Sequence, residues 1–242
     1  FQIYGDFSGY SDIAIGCARL FVFELMRNFA YPYFSRDIAE FWRRCHISLS
    51  TWFRDYLYIP LGGSRHGKAR TVRNTMIIFL VSGFWHGANW TFLVWGAVNG
   101  LLLLPLLLRD KHHAMTGIVA EGRWLPTFRE VLQVLSTFLL ACFAWTFFRA
   151  KSMGQAFDIL GTIASPSFFQ SPSLGSGKVL WAAGIGILIT LGLEWLARSR
   201  QYGLQLDGIL PRPIRLAVYY GLIGLLILTA PLGGGEFIYF QF

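Results

Sequence analysis

Apolar residues fill this chain in long runs separated by short basic connections. Residues 74–108 contain no Asp, Glu, Lys or Arg, residues 131–148 and 216–235 contain none, and residues 179–197 contain only Glu194. About 20 predominantly apolar residues in a helix cross the hydrocarbon of a bilayer, so each run predicts membrane-spanning helix. The 74–108 run is too long for one crossing. Its 35 residues would rise about 52 Å as a straight helix, against a hydrocarbon core of about 30 Å. The pattern predicts two shorter crossings broken at His86-Gly87-Ala88-Asn89. Residues 1–23 predict a less pure span, interrupted by Asp6, Asp12 and Arg19.

Residues 38–58 read differently. Ile38, Phe41, Trp42, Cys45, Leu49, Trp52, Phe53 and Tyr56 fall on one helical stripe, with Glu40, Arg43, Arg44, Thr51, Arg54 and Asp55 opposite. A basic amphipathic helix of this kind lies at a membrane interface or beneath a helical bundle. Pro60-Leu61-Gly62-Gly63 ends it with strong breakers. Residues 153–164 place Met153, Ala156, Phe157, Leu160 and Ile163 on one face and predict a second interfacial helix. The expected fold class is all-α, a polytopic transmembrane bundle with amphipathic or re-entrant helices, forming one domain over residues 1–242.

Composition agrees with this picture. Of the 242 residues, 54% are hydrophobic and 17% aromatic, and only 14% are charged, against about 25% charged in an average soluble domain. The net charge of +8 does not read as a nucleic-acid footprint, because the cations sit between apolar runs. Lys and Arg number nine in residues 27–73, none at the His86 turn, four in 109–129, three in 149–178, four in 198–215 and none after 235. That alternation follows the positive-inside rule. It places the richer loops in the cytoplasm, with the His86 turn and Phe242 outside. The contrast between three and four makes residues 109–178 the least determined part of the topology. Cys17, Cys45 and Cys142 have neither metal-ligand nor disulfide spacing and read as packing residues, so no metal is expected. The chain opens at Phe1 without a signal peptide. It reads as the C-terminal part of a longer protein whose upstream helices lie outside it.

Two histidines are candidates for chemistry. His86 stands in the uncharged run, where ionisable groups are costly and are functional candidates by default. It reads either as a neutral base or as a structural imidazole bonding across helices at a break. His46 lies at the edge of the amphipathic stripe and reads either as a boundary residue or as part of a site. His66, His112 and His113 lie in basic loops and read as solvated. Gly62-Gly63 and Gly233-Gly234-Gly235 lack phosphate-loop spacing, and no G-x-S-x-G elbow occurs. Asp6, Ser8, Ser11 and Asp12 read as interhelical hydrogen-bonding residues or as the lining of a polar tunnel.

The stretches YGDFSGYSDIAIG, NFAYPYFSRDIAEFWRRCHISLSTWFRDYLYIPLGGSR, SGFWHGANWTFLVWGAVNGLLL and FIYFQF resemble the membrane-bound O-acyltransferase family. The nearest branch is that of the bacterial alginate O-acetyltransferase membrane subunits, and the teichoic acid D-alanyl transferases are more distant. The resemblance is dense over residues 1–104 and returns at the last residues. It implies acyl transfer from a cytoplasmic thioester donor, acetyl-CoA or another acyl thioester, to a hydroxyl acceptor, with no bound cofactor. His86 matches the family's signature histidine, and His46 matches the second histidine of this branch. Cys45 stands where tryptophan is expected. On this reading Arg43, Arg44 and Arg54 would attract the donor's phosphates, although anionic headgroups suit them equally. Trp85, Asn89 and Trp90 would line a tunnel, although tryptophan also belts the interface. Implied partners are the lipid bilayer of the bacterial inner membrane, a periplasmic acetyltransferase and a polysaccharide-synthesis complex. The acceptor stays open among alginate, cellulose, peptidoglycan and other polymers. A transporter or flippase for a lipid-linked glycan, which also uses broken helices, is the alternative, with an inactive docking scaffold as a third reading.

The topology is testable in cells. A single cysteine at position 66 should react with a membrane-impermeant maleimide only after permeabilisation, and labelling from outside would overturn the assignment.

Overall fold

The computed structural model describes residues 1–112, 114–170 and 177–229. The chain divides into two compact units, one of residues 31–173 and one of residues 1–30 with the chain from 174 onward. Among the described residues there is helix and no strand, so the all-α expectation holds. His113, Gly233 to Gly235, the C-terminal FIYFQF stretch and Phe242 lie outside the described residues.

In the second unit, α1 (Gln2–Leu20) bears Tyr4 and α8 (Gly177–Leu196) bears Glu194. The Tyr4 hydroxyl donates to the buried Glu194 carboxylate, and Asn28 Nδ2 donates to Ser11 Oγ at 3.4 Å. The interhelical role expected for this end of the chain falls to Tyr4, whereas Ser11 bonds to Asn28 in the non-helical segment that follows α1. The unit also contains α9 (Arg212–Thr229).

The 31–173 unit carries α2 (Ile38–Arg44), α3 (Ile47–Phe53), α4 (Lys68–His86), α5 (Trp90–Leu108), α6 (Phe128–Arg149) and α7 (Met153–Ile163). By length and apolarity, α5, α6 and α9 are able to cross a membrane. The predicted break in the 74–108 run is present between α4 and α5. However, α4 begins six residues earlier than the run and carries Lys68, Arg70 and Arg73. It is not one of the helices apolar enough to count as a crossing. Helix α7 matches the predicted interfacial element almost residue for residue.

Helices α4 and α5 form a hairpin whose axes approach through glycine. A Cβ on Gly83 would collide with the carbonyl oxygen of Phe92, and one on Gly96 with that of Phe79. Small residues allow such close approach between apolar helices, where no hydrophobic driving force separates protein from lipid. Asn74, fully buried, donates through Nδ2 to the carbonyls of Leu61 and Gly63 at 3.1 and 2.9 Å. It thereby fastens the Pro60–Gly63 turn to α4.

The predicted 38–58 helix is not continuous. It ends at Arg44, resumes at Ile47 and passes into a π-helical turn at Arg54–Tyr58. His46, at the break, has φ +50°, a left-handed conformation that costs a non-glycine residue about 1–2 kcal/mol. Nor is Glu40 on a solvated face. Its side chain is 1% exposed, and its carboxylate receives Arg36 Nε at 3.0 Å, the Arg36 backbone N–H at 2.7 Å and Arg44 Nη2 at 2.7 Å. Arg36 and Arg44 also donate to the carbonyl of Gly117 at 2.7 and 3.0 Å. This i, i+4, i+8 ladder locks α2 to the segment leading into α6.

Removing one partner of a buried ion pair leaves an uncompensated charge and costs about 3–5 kcal/mol. Glu40→Ala should therefore lower the thermal midpoint of the detergent-solubilised full-length protein by several degrees. An unchanged midpoint would show that the ladder is dispensable.

Candidate functional site

The two candidate histidines come together. Their ring centroids lie 6.5 Å apart, and both side chains are half-buried. Each stands at a helix break. His86 is the last residue of α4 before Gly87, and His46 separates α2 from α3. Breaks expose backbone groups that a continuous helix would satisfy. The α5 side is capped by Asn89, whose Oδ1 accepts from Thr91 N at 3.1 Å, an interaction typical of asparagine at this position.

Aromatic rings surround His86. Trp85, Phe148 and Trp95 lie at 4.9, 5.0 and 5.2 Å between centroids, all edge-on at 80–88°, and Phe92 lies at 6.4 Å. Trp95 continues the wall to Phe148, Trp145 and Trp42, at 5.2, 6.3 and 5.7 Å. Trp85 also reaches the His46 ring at 6.3 Å. Four elements thus converge: α4 with Trp85 and His86, α5 with Phe92 and Trp95, α6 with Trp145 and Phe148, and the α2–α3 break with His46. Burial lowers the His46 imidazole to about 4, so it is neutral at physiological pH.

The remaining candidates are placed unevenly. Trp85 belongs to the wall. Asn89 is a cap and reaches across to the Lys151 carbonyl at 3.2 Å. Trp90 is 73% exposed and is not among the rings around His86. Arg43 donates to the carbonyls of His112 and Met115, each at 2.6 Å, while Arg44 is held in the Glu40 ladder. Arg54 pairs with Asp55 at 2.7 Å in an exposed position. Arg43 and Arg44 therefore act as clips for the backbone at His112, Met115 and Gly117, a role their basic spacing did not reveal. Trp95, Phe92, Phe148 and Trp145 were not singled out from the sequence. The pairs 92/95 and 145/148 have i, i+3 spacing on α5 and α6, which was the available signal. Among the described residues no cluster of His, Cys, Asp and Glu is arranged to hold a metal.

The profile of the membrane-bound O-acyltransferase family matches residues 1–150. A probable alginate O-acetylase of Pseudomonas syringae pv. tomato is 45% identical over 178 residues, 74% of this chain and 32% of the relative. A peptidoglycan O-acetyltransferase of Helicobacter pylori is 44% identical over 160 residues, 66% of this chain and 29% of the relative. A teichoic acid D-alanyltransferase of Streptococcus thermophilus is 38% identical, over 58% of this chain and 38% of the relative. The chain spans about a third of the length of these curated relatives.

The neutrality of His46 has a sign that thermal unfolding can read. Below the ordinary imidazole pKa of about 6.5, the unfolded chain binds a proton that the folded site, with its pKa near 4, refuses. This contribution to stability is complete above pH 6.5 and lost as pH falls toward 4. His46→Gln should therefore flatten the fall in melting temperature between pH 6.5 and 4.5. The same slope in both proteins would show that His46 titrates normally.

Proposed function

This chain belongs to the membrane-bound O-acyltransferase family, and we propose that its His46–His86 centre transfers an acyl group, acetyl in the first instance, from a cytoplasmic thioester to a hydroxyl of an exported polysaccharide. The observation that carries this reading is the convergence of two half-buried imidazoles, 6.5 Å apart, on two separate helix breaks inside one aromatic wall.

A hydroxyl is a weak nucleophile and must lose its proton as it attacks. His86 takes that proton while the hydroxyl oxygen bonds to the thioester carbon and the carbonyl electrons move onto oxygen. When the tetrahedral intermediate collapses, the C–S bond breaks and the thiolate leaves with the proton returned by His86. A positioned histidine contributes about 10²–10⁴-fold to such a step. His46, neutral and 6.5 Å away, meets the thioester and orients its acyl group. The buried rings of Trp95 and Phe148 make one side of the centre apolar, which limits the water that would otherwise hydrolyse the donor. Arg54, exposed and paired with its neighbour Asp55, is the arginine best placed to exchange its partner for a donor phosphate. Arg43 and Arg44 would have to release backbone carbonyls first. We place the protein in the bacterial inner membrane as a multi-pass subunit working with a periplasmic acetyltransferase and a polysaccharide-synthesis complex.

The relatives acting on alginate and on peptidoglycan have nearly equal identity to this chain, which supports an O-acetyl product and leaves the polymer to be identified. D-alanyl transfer is the second reading, supported by the lower identity of the teichoic acid enzyme.

A substitution pair separates a base from a scaffold. In proteoliposomes supplied with labelled acetyl-CoA, His86→Ala should abolish transfer and His86→Gln should not restore it, because glutamine makes imidazole-like hydrogen bonds but accepts no proton near neutral pH. The expected loss is about 10²–10⁴-fold at unchanged protein level and melting temperature. A well-folded His86→Gln protein with near-normal turnover would return His86 to a structural role.

A further inference from the structure

Trp42 leaves one buried polar atom unaccounted for. Its indole ring packs edge-on against Phe41, Phe79 and Trp95 at 5.4, 5.4 and 5.7 Å. Its Nε1 is shielded from solvent and meets no hydrogen-bond acceptor among the described residues. Buried tryptophan N–H groups ordinarily find a partner, because an unmade hydrogen bond in an apolar setting carries the full desolvation penalty. Phenylalanine would fill much of this space without that penalty. The indole stands at the junction of the elements that build the site. Trp95, against which it packs, touches His86 at 5.2 Å, and His46 follows Trp42 four residues along, just past the end of α2.

We infer that the Trp42 Nε1–H is the hydrogen-bond donor for the carbonyl oxygen of the acyl group, and that it holds that oxygen as it becomes an oxyanion. This rests on the acyl-transfer reading above and adds a residue to it. The chemistry of the surroundings selects the ligand atom. Water at this nitrogen would face rings instead of the two to four polar partners that hold a buried water. A hydroxyl would bring a hydrogen needing an acceptor of its own. A thioester carbonyl only accepts, and its acyl chain is apolar like the rings around it. As the acceptor hydroxyl oxygen bonds to the carbonyl carbon, the π electrons settle on the carbonyl oxygen, the hydroxyl proton passes to His86, and Trp42 keeps its own proton throughout. Collapse re-forms the C=O bond and expels the thiolate.

Such a donor strengthens in the transition state, and removing one costs about 10²–10³-fold in kcat. Removing an unsatisfied buried N–H, by contrast, does not destabilise the protein without substrate. These two expectations separate the proposal from a packing role. Trp42 of the full-length protein would be replaced by 3-benzothienylalanine, which keeps the two-ring shape and exchanges N–H for sulfur, and in parallel by phenylalanine. Initial rates with acetyl-CoA would be measured in proteoliposomes, and melting temperatures without substrate. The expected result for the benzothienyl protein is a kcat about 10²-fold lower, a KM for acetyl-CoA within about twofold, and a melting temperature at or above that of the unreplaced protein. The Trp42→Phe protein should show the same loss of kcat. Full kcat in the benzothienyl protein overturns the assignment, as does a rate loss matched by a lower melting temperature. If the unreplaced protein itself transfers no acetyl group while His86→Ala behaves identically, the acyl-transfer reading falls, and the Trp42 assignment with it.

Discussion

The 31–173 unit depends on a carboxylate buried among its own arginines. Helix α2 is seven residues long, too short to persist on its own propensity, since isolated helices below about 12–15 residues are marginal in water. Two things hold it. Ile38, Ala39 and Phe41 are buried, and Glu40 is gripped by Arg36 and Arg44, which both extend to the Gly117 carbonyl. Burying an ion pair is costly unless its remaining hydrogen-bonding capacity is met, and here each guanidinium finds a carbonyl as well as the carboxylate. The Asp37 side chain caps the same helix by accepting Glu40 N at 2.7 Å. Fixing α2 at both ends is what allows the next two residues to leave the helix in a defined direction. His46 is therefore presented by a rigid element.

His86 reaches the same place by a different physics. Among the described residues, the α4–α5 hairpin has no ion ladder. Its register is set by the contact of Gly83 with the Phe92 backbone and of Gly96 with that of Phe79. At its base, Lys68 and Asp110 pair at 2.7 Å, but both are exposed, and such pairs contribute little. The close glycine contact brings Phe92 and Trp95 within reach of the His86 ring on the preceding helix. Helix α6 then closes the wall with Trp145 and Phe148. Its own start is fixed by a reciprocal cap between Thr127 and Glu130, a motif that satisfies two of the orphan donors at a helix N-terminus.

Long apolar runs were legible as helices because periodicity and charge depletion are properties of the sequence itself. The α4–α5 break was legible too, because a 35-residue run exceeds the bilayer and Gly87 and Asn89 supply an end and a cap. The break at His46 was not. Left-handed backbone is usually announced by Gly or Asn, and nothing in Arg44-Cys45-His46-Ile47 carries that signal, while the apolar stripe runs through it unbroken. Glu40 was misplaced for a related reason. An Arg–Glu–Arg series at i, i+4 spacing looks the same whether it lies on a solvated face or folds inward, and only the position of Gly117, more than seventy residues away, decides. The pairing of His46 with His86 was available only through family resemblance, because no local pattern links residues forty apart.

The siting of the strain bears on what the centre is for. Broken helices within a membrane bundle are tolerated where they are buried in protein or line a cavity, since lipid satisfies no backbone hydrogen bond. One break would suffice to turn the α4–α5 hairpin. The second, at His46, brings a left-handed non-glycine residue whose cost of about 1–2 kcal/mol a continuous helix would avoid. A structural histidine could bond across helices from a regular turn without it. The left-handed residue instead lifts His46 out of the amphipathic stripe and toward His86, placing a second imidazole beside the first and against Trp85. Local strain of this kind persists where the surrounding fold over-determines it and clusters at functional sites. Here the over-determination is explicit: a fixed carboxylate ladder on one side and a glycine-locked hairpin on the other hold the two rings 6.5 Å apart.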